Sequence, residues 1–196
     1  GEVYVFDASS LLIGPLIGNN NVNFGLELTS KIVPKNGSRG KRMGEVVSVD
    51  GNYAIVGAHE EAFGNNDNFN IGYVFDLSNP KNPVETSKIE LGSEFANDSQ
   101  SFVDDFNWKI SGRQVVVSIV DYTSNPIRKA RPTYIFDISN PSKPINTVKF
   151  LPDSAQVGSR YGHSVAIKND LVVVGNPEGS TGSKNETGSF YVFDLY

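Results

Sequence analysis

The chain has 196 residues, 38% of them hydrophobic and 11% aromatic, with a formal net charge of −5 and no cysteine. That composition excludes disorder, disulfide scaffolding, thiolate metal sites and cysteine nucleophiles, and its acidic balance gives no general attraction to nucleic acid. No apolar run approaches the roughly 20 residues that cross a bilayer as a helix, so no membrane insertion is expected. The first residue is Gly1, with no signal segment behind it, which reads as a processed or cut end.

In chain order, the first predicted strand runs from Glu2 to Asp7 and contains Tyr4-Val5-Phe6-Asp7. The same tetrapeptide returns at Tyr73 and Tyr191, and as Tyr-Ile-Phe-Asp at Tyr134, setting an internal repeat of about 60 residues. A period in that range belongs to solenoids, propellers and arrays. Placing Tyr73 over Tyr134 brings Gly51 over Gly112 and Ser78-Asn79-Pro80 over Ser139-Asn140-Pro141. Placing Tyr73 over Tyr191 brings Gly44 over Gly162 and Gly57 over Gly175. The repeats fall at approximately 1–34 (partial), 43–91, 104–152 and 161–196 (partial), within one domain.

Between the first strand and the next, Leu26 to Val33, lies an insertion that the sister repeats lack. Its aliphatics Leu11, Leu12, Ile13, Leu16 and Ile17 need cover, either over the chain's own first repeat or against another subunit. The second repeat reads as four strands, a to d: Glu45 to Val49, Tyr53 to Gly57, Gly72 to Leu77 and Thr86 to Leu91. Asp50-Gly51-Asn52 signals a tight a-to-b hairpin, matched by Ser111-Gly112-Arg113 and Asn169-Asp170 in the later copies. The c-to-d turn is Ser78-Asn79-Pro80-Lys81-Asn82-Pro83, and the third copy repeats it from Ser139 to Pro144. In the last copy Leu171-Val172-Val173-Val174 is apolar on both sides, which predicts a strand covered on both faces.

A repeated four-stranded antiparallel sheet is a propeller blade, so the expected fold class is all-β, built of β-propeller-type repeats. The copies amount to about three blades, short of the four to eight of a closed ring. The expectation is a window of a longer repeat region, with a ring completed by another chain as the alternative. Either way the open ends should meet further repeats of the same chain or a protein partner, near the Leu11 to Ile17 aliphatics.

Tyr161-Gly162-His163-Ser164-Val165-Ala166, Leu171 to Pro177 and Gly188 to Phe193 together resemble the FG-GAP repeat of integrin-α-like β-propellers. Met43-Gly44 through Ala58, with Gly72 to Phe75, is a second, looser match. Phe75 to Pro80 and Phe136 to Pro141 also look like LVIVD repeats, another propeller-type family. The resemblance implies fold more than function, because propellers host unrelated activities. In integrin-type repeats an Asp-rich calcium loop separates the first two strands. Here those positions are two- or three-residue hairpins, so calcium is not carried over to them.

Asn65, Asp67 and Asn70 form the one oxygen-rich stretch, a weak metal candidate short of carboxylates; no cofactor is expected. Asp7, Asp76, Asp137 and Asp194 recur once per copy, as turn-capping scaffold rather than catalytic acids. His59 and His163 fall at unrelated repeat positions, a poor metal inventory without cysteine. Trp108 aligns with Val47 and Val165 and reads as core. The longer b-to-c and d-to-a connections share one predicted face with the three sequons, at Asn36, Asn97 and Asn185. Basic clusters Lys35/Arg39/Lys41/Arg42 and Arg128/Lys129/Arg131 lie there among acidic residues.

The expected function is a non-catalytic binding or structural module for protein–protein assembly or adhesion, outside the cell or at its surface. A carbohydrate- or polyanion-binding propeller, with a glycan as partner, is the first alternative. A propeller hydrolase or lyase with a site built across blades is the second.

Overall fold

The computed structural model describes residues 1–7, 27–33, 42–61, 68–91, 103–121, 130–155, 159–179 and 187–195. Among these the chain forms strands and no helix. β1 (Val3–Asp7) pairs with β2 (Glu27–Ile32). β3 (Val46–Asp50), β4 (Tyr53–Glu61), β5 (Asn68–Asp76) and β6 (Val84–Glu90) form one antiparallel meander. β7 (Val103–Ser111), β8 (Gln114–Asp121), β9 (Thr133–Asp137) and β10 (Ile145–Phe150) form a second. β11 (Val165–Lys168), β12 (Leu171–Asn176) and β13 (Ser189–Asp194) form a three-stranded sheet. These are blade-like sheets stacked in sequence, and they do not close on one another.

The turns arise where the sequence demands them. Gly51 and Gly112 take φ of +56°, and Asn169 takes +51° at the equivalent hairpin. Glycine and asparagine are the residues that tolerate this left-handed conformation. The carbonyls of Asn52, Arg113 and Asp170 in these hairpins accept the amides of Leu77, Ile138 and Leu195 just past strand c. That places the a-to-b and c-to-d turns at one end of each four-stranded sheet. Asp76 Oδ1 and Asp137 Oδ1 accept the amides of Ser78 and Ser139, each at 2.7 Å. Asn79 and Asn140 cap the next step in the same way, through Lys81 N and Ser142 N at 3.2 Å.

Strand d carries a device that the sequence reading did not anticipate. In β2, β6 and β10 the register slips by one residue, at Thr29, Thr86 and Thr147. The bulged hydroxyls of Thr86 and Thr147 donate to the strand-c carbonyls of Val74 (3.1 Å) and Ile135 (3.2 Å). Two residues on, Lys31, Lys88 and Lys149 stand opposite Tyr4, Tyr73 and Tyr134. Their ammonium groups lie 5.8, 5.1 and 5.5 Å from the ring centroids, within cation–π range.

Apolar faces bury between neighbouring sheets. Met43, Ala54, Val56, Tyr73 and Phe75 pack against Val3, Val5 and Ile32 of the first sheet. Ile55, Val74, Ile89 and Leu91 on the opposite face pack against Trp108, Val115, Val117, Tyr134 and Phe136. Val116 and Ile135 then pack against Tyr161, Val165, Val172 and Val174. Each fully buried Val or Ile contributes roughly 1.5–3 kcal/mol, so these seams hold the stack together. Trp108, 1% exposed, lies where a Cβ on Gly57 or on its cross-strand partner Gly72 would come within 2.9 and 2.7 Å of the indole. Clasps join adjacent a-strands: Asp50 Oδ2 accepts Gly112 N at 2.6 Å, and Ser111 Oγ accepts Asn169 N at 3.0 Å.

Three expectations need correction. β4 extends to Glu61 and β5 starts at Asn68, because the ladder continues through His59↔Asn70 to Glu61↔Asn68. The b-to-c loop of that copy is therefore shorter than His59 to Ile71, and Asn70 lies in β5. Likewise β7 begins at Val103, paired with Asp121, earlier than the repeat alignment implies. In β12, Val172, Val174 and Asn176 are buried, while Leu171 is 51% and Val173 37% exposed. One side of that strand faces no neighbouring sheet among the described residues.

Candidate functional site

The stack leaves an apolar surface at each end. In the last sheet the uncovered side carries Leu171 and Val173 from β12 with Phe190 and Val192 from β13, the latter two 70% and 57% exposed. Val173 pairs directly with Val192, and Gly175 with Phe190, so these side chains form one patch. The equivalent pairs in the complete sheets, Ile55 with Val74 and Val116 with Ile135, are at most 1% exposed under the next sheet. At the other end Tyr4, Phe6 and Leu28 are about half exposed, and Val47 and Val49 of β3 are more than half exposed. Their repeat equivalents Tyr73, Phe75, Trp108 and Ile110 are all buried. The two ends thus present the two complementary halves of the seam that recurs inside the chain.

Electrostatics support a scaffold role for the polar groups. Hydrogen bonds from Ser78 and Ser139, aided by the nearby Arg113 charge, lower the Asp76 and Asp137 carboxyls below the usual range. Burial pushes the Tyr161 phenol up to about 12, offset in part by its contact with Thr133 Oγ1 at 3.3 Å. At the first end a hydrogen bond from Lys31 and another from Tyr4 lower the Glu2 carboxyl.

Of the residues singled out from sequence, Trp108, Tyr73, Phe75, Tyr134 and Phe136 are core, as expected. Asp76 and Asp137 hold turns. His163 is exposed, and its backbone carbonyl accepts Asn107 Nδ2 at 2.9 Å. Leu11, Leu12, Ile13, Leu16, Ile17, Asn36, Asn65, Asp67, Asn97 and Asn185 lie outside the described residues. Among the described residues no three His, Asp or Glu side chains are placed to share a metal ion. Sequence reasoning missed the patch on β12 and β13, although Val192 over Val74 and Val173 over Ile55 follow from the alignment already in hand.

The FG-GAP repeat family model matches residues 27–75 and 145–193, together half of the chain. Both segments run from strand d of one sheet through a, b and c of the next, and they are related by the shift that superposes Tyr73 on Tyr191. The intervening copy has Asp105, Ser118 and Thr133 where the second has Gly44, Gly57 and Gly72. The LVIVD likeness rests on the sequence alone. Neither the curated proteins nor the solved structures gave a significant match. With the repeat period, the blade-like meanders and the matched segments in agreement, this chain belongs to the FG-GAP repeat family.

Proposed function

We propose that the chain is a non-catalytic binding and structural repeat module, assembling with protein outside the cell or at its surface. The observation that carries this reading is the pair of uncovered end faces. Val173, Phe190 and Val192 at one end and Tyr4, Phe6, Val47 and Val49 at the other are exposed where their counterparts are buried, and Leu171 extends the patch beside Val173. Contiguous exposed apolar surface of this kind marks interaction sites. The polar groups that the fold gathers, Asp50, Asp76, Asp137 and Ser111, hold backbone amides, which fits scaffolding better than catalysis. The test is mass in solution against concentration for the unmodified chain and for Leu171→Asp with Val173→Asp. Concentration-dependent association that the double variant abolishes supports the reading. A monomer at every concentration, identical in both proteins, overturns it.

A further inference from the structure

We propose that the seam between the third and last sheets contains a binding site for one internal water, which bridges the Tyr161 phenol and the Asn176 carboxamide. Four polar side chains meet there, at the end of the seam away from the hairpin turns. Asn176 closes β12 on the side that carries the buried Val172 and Val174, and it pairs directly with Ser189 of β13. Tyr161 packs in the same cluster as Val116, Ile135, Val172 and Val174, and its hydroxyl meets that of Thr133 at the start of β9. The repeat gives each of these residues a counterpart. Placing Tyr73 over Tyr191 brings Met43 over Tyr161, Ala58 over Asn176 and Ile71 over Ser189, and placing Tyr4 over Tyr134 brings Val3 over Thr133. Val3, Met43, Ala58 and Ile71 pack together in one apolar cluster between the first two sheets. Four neighbouring positions therefore change from apolar to polar as a set, which makes them one network rather than four separate costs.

Counting donors and acceptors shows what the network lacks. Thr133 Oγ1 donates to Tyr161 Oη at 3.3 Å, and Asn176 Nδ2 donates to Ser189 Oγ at 3.0 Å. The first contact leaves Tyr161 with a proton to give. The second leaves Asn176 Oδ1 with no donor among the described residues, although Asn176 is only 1% exposed. Turning the carboxamide over would leave its Nδ2 unsatisfied instead. A water both accepts and donates, so one molecule takes the Tyr161 proton and supplies Asn176 Oδ1. The result is a continuous chain of hydrogen bonds from β9 through Tyr161 and Asn176 to β13. A metal ion could meet Oδ1 but could not accept from the phenol, and the four side chains carry no charge to hold it. The nearby Glu178 carboxylate is engaged with Arg160 Nε at 2.9 Å. The bridge also discriminates between neighbours. Val3, which stands where Thr133 does, has no hydroxyl for Tyr161, so the polar set matches the last sheet to the third and not to the first.

The direct test is a high-resolution crystal structure of the unmodified chain, which does not depend on any variant folding. A solvent atom within hydrogen-bond distance of both the Asn176 carboxamide and Tyr161 Oη is expected. Denaturant unfolding of Tyr161→Phe, Asn176→Leu and the double variant tests the same bridge in solution. An apolar residue is tolerated at position 176, because its counterparts Ala58 and Ile119 are buried. Each single change should lower the folding equilibrium constant about five-fold or more. The double change should fall short of the product of the two by about three-fold or more, because both remove the same bridge. Single effects that multiply in the double variant overturn the proposal. So does density that shows no solvent atom between the two groups, or a protein donor on the carboxamide. Anomalous signal at the site from a crystal soaked in rubidium chloride also overturns it, because the occupant is then a metal ion.

Discussion

At the scale of single residues, the seam between the second and third copies turns on Trp108 and two glycines. The indole lies against the paired Gly57 and Gly72, where no side chain could fit without displacing it. Gly72→Ala is expected to cost about 1–3 kcal/mol by overpacking and Trp108→Ala about 3–5 kcal/mol by cavity formation, both read from denaturant unfolding. Trp108 was legible as core, because it aligns with Val47 and Val165. Its glycine seat was not, because that contact joins residues of different copies and leaves no periodic trace. Tyr161 gives a pH prediction. Its folded pKa is raised to about 12, so the unfolded chain ionises first, and stability falls from about pH 10 to 12. Tyr161→Phe should flatten that alkaline decline in thermal melts, at a cost near neutrality of about 1 kcal/mol for the lost contact with Thr133.

Among elements, strand d is specified by more than its apolar alternation. The bulged threonine pins the register, since a slip of one residue would turn every side chain of the strand to the wrong face. Thr86→Val and Thr147→Val should each destabilise the chain by about 0.5–1.5 kcal/mol, with the larger loss for Thr86. The reason for the order is that Ile89, two percent exposed, depends on the Thr86 register, whereas β10 is mostly exposed. The c-to-d turns were legible because Asp, Ser, Asn and Pro each have a local reason to be there. Asp76 and Asp137 also bear on acid stability. Their lowered carboxyls stabilise the fold above the ordinary aspartate range and lose that contribution as pH falls through their folded values, so Asp76→Ala with Asp137→Ala should blunt acid unfolding below about pH 4. Strand ends were the poorly legible part. The β4–β5 hairpin runs on through His59, Glu60 and Glu61 opposite Asn68, Phe69 and Asn70, mostly polar residues with little strand signal apart from Phe69, held there by the ladder begun at Tyr53.

For the whole molecule, the repeat period made the sheet order legible, but not which faces stay uncovered. That follows only when each exposed residue is set beside its buried counterpart: Val173 beside Ile55, Val192 beside Val74, Tyr4 beside Tyr73. Because the two end faces are different halves of one seam, contact between copies through them is head-to-tail, and each contact uses one face from each partner. This gives a prediction that a symmetric contact could not meet. A chain altered only at the first end, by Tyr4→Ser with Phe6→Ser, should not associate with itself. Nor should a chain altered only at the last, by Leu171→Asp with Val173→Asp. Mixed in equal amounts, the two variants should form a one-to-one complex that grows no further, because each contributes its intact face and is capped at the other. Sedimentation of the mixture at twice the monomer mass, with both parents monomeric, is the expected result. Two unmixed monomers, or continued growth of either parent alone, would show that the end faces do not meet as halves of the internal seam.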